Sequence, residues 1–254
     1  MSLKCIRPLH AWRSSEVGDS GKRLLVFNKS ESSDPAELIL RCGQCVNCRL
    51  HRSAMTAARC SHEIKYHSDN SFLTLTYSPE HCPQSASLVR RDMTLFWKRL
   101  RKAISPKKIK YLQCGEYGDT TSRPHYHACL FGFDPPDRKF YKLNKTGDHK
   151  IYTSALLDSV WSKGMVFIGD LSFNSAAYVS RYIVKKIIGK HAERVTYHEF
   201  FGCDVGLKPY QLYDSEYGQI TEREPEYTTS SNGIGRQWLL DNISDVYPHD
   251  KIII

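Results

Sequence analysis

Two histidines one residue apart mark the stretch of this chain that is best suited to metal chemistry. His125 and His127 lie within residues 123–131, where β-branched, aromatic and other apolar residues predict a strand. Side chains alternate between the two faces of a strand, so both imidazoles project from the same face. Two neutral imidazoles placed in this way can hold one divalent metal ion. Two exposed or hydrogen-bonded histidines would give the same short motif.

A metal ion that acts on phosphate also needs an oxygen ligand, and the preceding strand offers one. Glu116 follows the strand predicted over residues 109–114, and it reaches the histidine pair if the two strands are antiparallel. Asp119 is the substitute in the same turn-rich segment, and Glu116 could equally be a solvated turn carboxylate. Mixed nitrogen and oxygen ligation with an open position suits Mg²⁺ or Mn²⁺ that arrives with substrate phosphate.

A second candidate group lies on an amphipathic helix predicted over residues 175–188. Tyr178 and Tyr182 are four residues apart and share a helix face. The same side carries three cations, which are Arg181, Lys185 and Lys186. The opposite side carries an apolar stripe that we expect to pack on a sheet, formed by Ala176, Val179, Ile183, Val184, Ile187 and Ile188. Nearby positive charge favours the phenolate form of tyrosine, which is a nucleophile toward phosphorus. A surface tyrosine pair without a chemical role is the alternative.

The third group consists of cysteines near the start of the chain. Cys42, Cys45 and Cys48 follow a C-x₂-C-x₂-C pattern, and three thiolates at this spacing supply most of a structural zinc site. The fourth ligand would come from one of four residues, namely Cys5, His51, Cys60 or His62. An iron–sulfur cluster fits the same spacing, and ordinary thiols, with Cys48 facing a core, are the alternative.

The elements that must position these groups follow from periodicity and punctuation. Strands are predicted over residues 71–77, 109–114, 125–133 and 164–169, and helices over 92–105, 154–161 and 175–188. Asp92 is the predicted cap of the first of these helices, Ser172 or Asn174 that of the last, and Gly189 its end. The order predicts an α+β fold with a central antiparallel β-sheet and helices packed on one face. We predict a Cys-rich extension over 1–66, a catalytic core over 67–190, and a C-terminal extension over 191–254 that packs on the core or contacts DNA.

Taken together, these motifs resemble the HUH endonuclease superfamily. The resemblance is carried by the apolar strand 72–77, the His125-Tyr-His127 strand and the two-tyrosine helix 178–186, which occur in the order of that family. The segments 42–49, 114–119, 233–235 and 245–250 are similar to the replication initiators of gokushovirus-type microviruses, so the resemblance covers residues 5–250.

The resemblance implies an HUH/RRM-like sheet and a role for each candidate residue. His125 and His127 would be metal ligands with Glu116 as the third, Tyr178 and Tyr182 nucleophiles, and Lys185 or Lys186 the lysine of the family's helix. One tyrosine would attack single-stranded DNA at the replication origin, leaving a 5′-phosphotyrosine and a 3′-hydroxyl that a host DNA polymerase extends. The chain contains no Gly-x-x-x-x-Gly-Lys-Ser/Thr loop, so a host helicase would unwind the duplex.

The composition of the whole chain agrees with a nucleic-acid partner. The 254 residues carry a formal net charge of +9, which suits a polyanion. The absence of a long apolar stretch predicts neither a signal peptide nor a membrane span, so we expect the host cytoplasm and reduced cysteines. Three alternatives stay open: a non-catalytic single-strand DNA-binding module, an HUH transposase or relaxase, and a metallohydrolase of small phosphoesters.

Overall fold

The computed structural model describes residues 4–118, 120–144, 146–185, 195–200, 203–214 and 217–246, apart from the side chains of 182–185, 200 and 246. The chain divides into two compact units, Met1–Ala54 and Met55–Ile254. The division falls inside the first helix, whereas the sequence predicted a boundary at residue 66, after that helix. The three-part division stays a prediction.

The first unit is built on a small antiparallel sheet. Its strands are β1 (Leu9–Val17), β2 (Arg23–Val26) and β3 (Leu38–Leu40), in the order β2-β1-β3. A 3₁₀ turn at Lys29–Glu31 connects β2 to β3. Helix α1 (Val46–Ile64) begins in this unit and ends in the second, which confirms the helical character predicted for this basic segment.

The second unit contains a seven-stranded sheet in which all neighbouring strands are antiparallel, as predicted. In chain order its elements are β4 (Asn70–Thr76), α2 (Arg90–Ala103), β5 (Lys110–Tyr117), β6 (Pro124–Phe131), β7 (Lys139–Leu143), β8 (Lys150–Thr153), α3 (Ala155–Trp161), β9 (Val166–Asp170), α4 (Phe173–Lys185), β10 (Thr196–Phe200), β11 (Cys203–Leu207), β12 (Gln211–Asp214), β13 (Gln219–Glu222), β14 (Tyr227–Ser230), α5 (Arg236–Asp241) and α6 (Ile243–Val246). The strand order is β14-β5-β6-β4-β9-β8-β7, and β10–β11 and β12–β13 form separate hairpins. The sheet therefore places β5 and β6, which carry the candidate ligands, near its centre.

Helices pack on both faces of this sheet, which corrects the prediction that they pack on one. On one face, buried side chains of α2 and α3 such as Phe96 and Trp161 contact Leu73 and Leu75 of β4. On the other face, Ala176 and Val179 of α4, with Cys60 of α1, pack on Leu112, Cys114, Cys129 and Phe131. The alternation of apolar residues in β5 and β6 on both faces is what makes two helical layers possible.

The predicted helix caps are partly wrong. Helix α2 begins at Arg90, after Val89, and Asp92 lies buried in its first turn, where it accepts a hydrogen bond from the Tyr77 hydroxyl at 2.7 Å. The aspartate is therefore used by the core rather than as a cap. In α4, the Ser172 hydroxyl accepts from the Ser175 amide at 3.3 Å, and Asn174 lies inside the helix. The predicted end at Gly189 lies outside the described residues.

Three strands of the sheet were not predicted, namely β7, β8 and β14. Strand β14 pairs with β5 at one edge and brings residues from the C-terminal part of the chain into the sheet. Within the described residues, no helix combines the length and the apolar character needed to cross a bilayer.

Candidate active site

Strand register brings the predicted metal ligands together. Glu116 of β5 pairs directly with His125 of β6, and Cys114 pairs with His127, so the three ligands share one face. The Glu116 Oε1 atom lies 2.6 Å from His125 Nε2 and 2.8 Å from His127 Nε2. The antiparallel pairing on which the choice of Glu116 depended is thus present. The alternative Asp119 lies outside the described residues.

Hydrogen bonds on the far side of each imidazole set its orientation. His125 Nδ1 lies 3.2 Å from the carbonyl oxygen of Arg123, and His127 Nδ1 lies 2.9 Å from Thr74 Oγ1. Because Nδ1 is engaged in both rings, Nε2 is the nitrogen that faces Glu116. Histidine ligands of metal sites are commonly oriented by a partner on the other ring nitrogen, and this arrangement has that form.

The charge of the site is suited to a divalent cation. Burial by itself would raise the pKa of Glu116, but hydrogen bonds from His125 and His127 outweigh it and lower that pKa to about 2. Burial lowers the pKa of His127, which favours its neutral form. Burial also opposes protonation of His125, but its bond to Glu116 outweighs burial and raises the pKa. Glu116 Oε2 is buried without a hydrogen-bond partner in the described structure, and a metal ion would satisfy it. The donor set therefore fits Mg²⁺ or Mn²⁺.

Tyr178 reaches this group from α4. Its hydroxyl donates to Glu116 Oε1 at 3.0 Å, and its ring meets the His127 ring edge-on with centroids 5.1 Å apart. Phe72 of β4 stacks on the other side of His127, with centroids 5.5 Å apart. The Arg181 guanidinium lies 5.7 Å from the centroid of the Tyr178 ring, so the predicted proximity of a cation is present.

The orientation of Tyr178 differs from the prediction. Its helical position placed it on the cationic side, away from the sheet, but the structure packs its half-buried ring against Phe72 in the second core. The contact face of α4 is wider than its apolar stripe, because the buried Ser180 lies on it beside Ala176 and Val179. Helix α4 thereby aims a phenol at the sheet rather than at solvent. The side chains of Tyr182 and Lys185 and the whole of Lys186 lie outside the described residues.

Sequence reasoning missed one contributor to this site. Thr74, which pairs with His127 across β4 and β6, was used only as a sign of strand structure. Its hydroxyl is the partner of His127 Nδ1. The signal was available in the alternation of β4, since Thr74 shares a face with Phe72 and Thr76.

The cysteine group is also assembled, within the first unit. Cys5 joins Cys42, Cys45 and Cys48, and the four sulfurs all lie within 4.8 Å of one another. A backbone hydrogen bond from Ile6 is the largest of the causes that lower the pKa of Cys45 to about 6. Cys60 lies instead in the second core, and His62 stacks on Trp238 with ring centroids 3.6 Å apart. Of these candidates, Cys5 is the one that stands in the cluster.

Comparison with known proteins finds relatives among phage replication proteins. The family model for replication-associated proteins of the ORF2 type matches residues 70–187. The chain is 34% identical over 203 residues to replication-associated protein VP4 of Bdellovibrio phage phiMH2K, covering 77% of this chain and 62% of that protein. It is 34% identical over 221 residues to replication-associated protein ORF2 of Spiroplasma virus 4, covering 84% and 61%. It is 33% identical over 155 residues to replication-associated protein ORF4 of Chlamydia phage 1, covering 59% and 39%.

The chain thus spans about six tenths of the length of the first two relatives. No solved structure matches it. The matched range contains Glu116, His125, His127 and Tyr178, and the predicted resemblance to phage replication initiators is confirmed. Through residues 70–187, the chain belongs to the family of ORF2-type replication-associated proteins.

Proposed function

We propose that this protein nicks single-stranded DNA at a phage origin by tyrosine transesterification, and so initiates and terminates rolling-circle replication of a small circular genome. One observation carries the proposal. The hydroxyl of Tyr178 lies 3.0 Å from the same Glu116 oxygen that contacts both histidines, so a nucleophile and a metal-ligand set meet at one point.

Glu116, His125 and His127 would hold the metal. A bound Mg²⁺ or Mn²⁺ supplies polarisation of the scissile phosphate and neutralises charge on its oxygens. The chain's own residues prepare the site for it. Glu116 is held ionised, Thr74 and the Arg123 carbonyl orient the two rings, and the buried faces of α4 fix the helix that carries Tyr178.

The reaction exchanges one phosphodiester for another. The Tyr178 oxygen attacks phosphorus, and a bond between that oxygen and phosphorus forms as the bond to the 3′ oxygen breaks. The phenol proton ends on the departing 3′ oxygen, so the products are a 5′-phosphotyrosine and a free 3′-hydroxyl. No ATP is consumed, because the new ester retains the bond that is later needed for joining.

The remaining candidates complete the cycle. A host polymerase extends the 3′-hydroxyl behind a host helicase, in the host cytoplasm, and Tyr182 attacks at the regenerated origin to release a circle. Lys185 and Lys186 contact the phosphates of the bound strand. The net charge of +9 supports this binding, since phosphate contacts by cations drive counterion release.

The competing functions explain fewer of the observed contacts. A non-catalytic DNA-binding module gives no reason to bury a carboxylate, which is costly unless the group is paired, next to two histidines and a phenol. A metallohydrolase of small phosphoesters would have no use for Tyr178 at the ligands. A transposase or relaxase shares the chemistry, but the relatives are named as phage replication-associated proteins.

A labelling experiment tests the proposal. A single-stranded oligonucleotide that carries the origin of the protein's own phage and a 3′ label is incubated with Mn²⁺ or with EDTA and run on a denaturing gel. We expect the label to move to the size of the protein only with the metal. The shift should be lost in the Tyr178→Phe, Tyr182→Phe double variant and kept in Tyr141→Phe, a substitution at an exposed site on β7.

Two results would contradict the mechanism. An oligonucleotide that is bound but uncut with either Mg²⁺ or Mn²⁺ would favour the binding module. Cleavage that persists in the double variant, with a free 5′-phosphate, would favour hydrolysis.

A further inference from the structure

The cysteine cluster has the dimensions of a single tetrahedral ion. A zinc–sulfur bond is about 2.3 Å, so two sulfurs on one tetrahedral zinc ion are about 3.8 Å apart. Cys5 Sγ and Cys45 Sγ are 3.8 Å apart, and Cys42 Sγ and Cys48 Sγ are 3.9 Å apart. A disulfide would bring two sulfurs to about 2.0 Å, and all four cysteines are free thiols. The spacing favours one shared ion over a multi-iron cluster, whose irons would spread the sulfurs further apart.

The backbone is shaped to present the sulfurs. The Cys42–Cys45 turn passes through Gly43, whose φ of +72° lies in the left-handed region that favours glycine. This turn lets the Cys45 amide donate to Cys42 Sγ at 3.3 Å, and the Cys42 amide donates to Cys5 Sγ at 3.4 Å. Amide donors of this kind stabilise negative charge on sulfur, which a metal-bound thiolate carries.

The surrounding charges offset that of a tetrathiolate site. Four thiolates on one divalent ion leave a net charge of −2. Lys4 precedes Cys5, Arg41 precedes Cys42, and Arg49 follows Cys48. These neighbours place cations beside three of the four ligands along the chain.

The first unit has almost no apolar core of its own. Among its described residues, Ala11 and Cys48 are the buried hydrophobic side chains. Its larger apolar residues stay exposed, for example Val17 at 61%, Phe27 at 61% and Ile39 at 68%. A unit of this size with so small a core usually depends on a metal or on disulfides to fold.

We propose that Cys5, Cys42, Cys45 and Cys48 bind one structural zinc ion, and that this ion is required for residues 4–54 to fold. Binding exchanges the thiol protons of the four cysteines for the ion, with no change in oxidation state. The ion joins Cys5 to the cysteines of the α1 start and so closes the chain across β1, β2 and β3. This site is independent of the nicking chemistry and does not rest on it.

Metal analysis tests the site on the full chain. We expect protein purified without chelator to retain about one equivalent of zinc after desalting. Cys5→Ser and Cys45→Ser should each lose it, and Cys203→Ser, at an exposed cysteine outside the cluster, should keep it. Because the histidine site can also take zinc, His127→Ala is measured as well and should retain the equivalent. Zinc loss in His127→Ala alone, or an iron chromophore in place of zinc, would overturn the assignment.

Two measurements on the wild type avoid the possibility that a cysteine variant simply fails to fold. Cobalt reconstitution should give sulfur-to-metal charge-transfer bands together with the visible bands of tetrahedral Co²⁺, and their absence would contradict a four-thiolate site. Removing zinc with a chelator should abolish the protection of β1 and β3 amides from hydrogen exchange while β4 to β6 stay protected. If β1 and β3 keep their protection without zinc, the folding role is wrong.

Discussion

The hydroxyl of Tyr178 and the carboxylate of Glu116 are joined by a hydrogen bond of 3.0 Å between α4 and β5. The same Glu116 oxygen also faces His125 and His127. A single carboxylate therefore links the proposed nucleophile to the proposed metal ligands. Changes at Glu116, or at the residues that orient its partners, should alter metal binding and DNA cleavage together.

Glu116→Gln should weaken metal binding without disturbing the fold, because the amide keeps the shape of the side chain and removes its charge. We expect the affinity for Mn²⁺ to fall by about 10- to 100-fold or more, since even indirect partners of metal ligands contribute that much. Electron paramagnetic resonance of free Mn²⁺ during a titration measures it. Glu222→Gln, at an exposed glutamate of β13, is the control. Equal affinities in the two variants would exclude Glu116 as a ligand.

Thr74→Val should lower metal affinity and cleavage by about 10- to 100-fold, because it removes the hydroxyl that orients the His127 ring. Thr74→Ser keeps the hydroxyl and should recover most of both. A merely structural role of Thr74 would instead lower thermal stability in both variants and leave the Mn²⁺ affinity unchanged. Parallel measurements of melting temperature and Mn²⁺ affinity distinguish the two.

Gly164→Ala should destabilise the second unit severely. A Cβ at this position would lie 2.2 Å from the Thr76 carbonyl oxygen and 2.6 Å from the Ser78 amide nitrogen, both of which are backbone atoms. We expect a loss on the order of 4 kcal/mol or more. Gly147→Ala is the matched control, since its φ is also positive but nothing lies within 4 Å of the added atom, so it should cost about 1–2 kcal/mol. Urea unfolding measures both, and similar values would contradict the role of close packing.

Glu63 should make stability depend on acid pH. Burial would raise the pKa of this carboxyl, but Lys110, His67 and the Gly235 amide hold it below the usual value of 4.5. A pKa lowered by folding contributes stability that is complete above the unfolded value and is lost as the pH falls through the folded one. Glu63→Gln should therefore be less stable than the wild type at neutral pH.

The same linkage predicts how the two proteins compare in acid. The difference in free energy of unfolding between wild type and Glu63→Gln should shrink as the pH falls below about 4.5, because the wild-type carboxyl then becomes protonated. Chemical unfolding at a series of pH values measures this difference. A gap that stays constant down to pH 3 would show that the Glu63 charge contributes nothing.

Much of the site could be predicted because it depends on local periodicity. The two-residue period of a strand places His125 and His127 on one face, and an antiparallel hairpin of β5 and β6 then places Glu116 opposite His125. The choice of Cys5 as a fourth sulfur also agrees with the structure, although three other residues were open at that point. These relations follow from spacing along the chain or between adjacent strands.

Other features depend on contacts that spacing does not encode. Asp92 has the composition of a helix cap, but the buried Tyr77 hydroxyl takes it as a partner from another strand. Tyr178 has a helical position beside cations, but packing of α4 turns its ring toward Phe72 and His127. Tertiary contacts decide such cases because a buried polar group is costly unless it finds a partner, wherever that partner lies in the chain.

By itself, the sequence determined the class of the fold, the ligand types and their common face, because side-chain chemistry and strand alternation are local properties. Only the tertiary structure decided that helices cover both faces of the sheet, that β14 closes one edge, and that Thr74 supports His127. Those features require segments distant in the chain to bury complementary surfaces on each other, and the energy of that burial exceeds the local preferences on which the predictions rested.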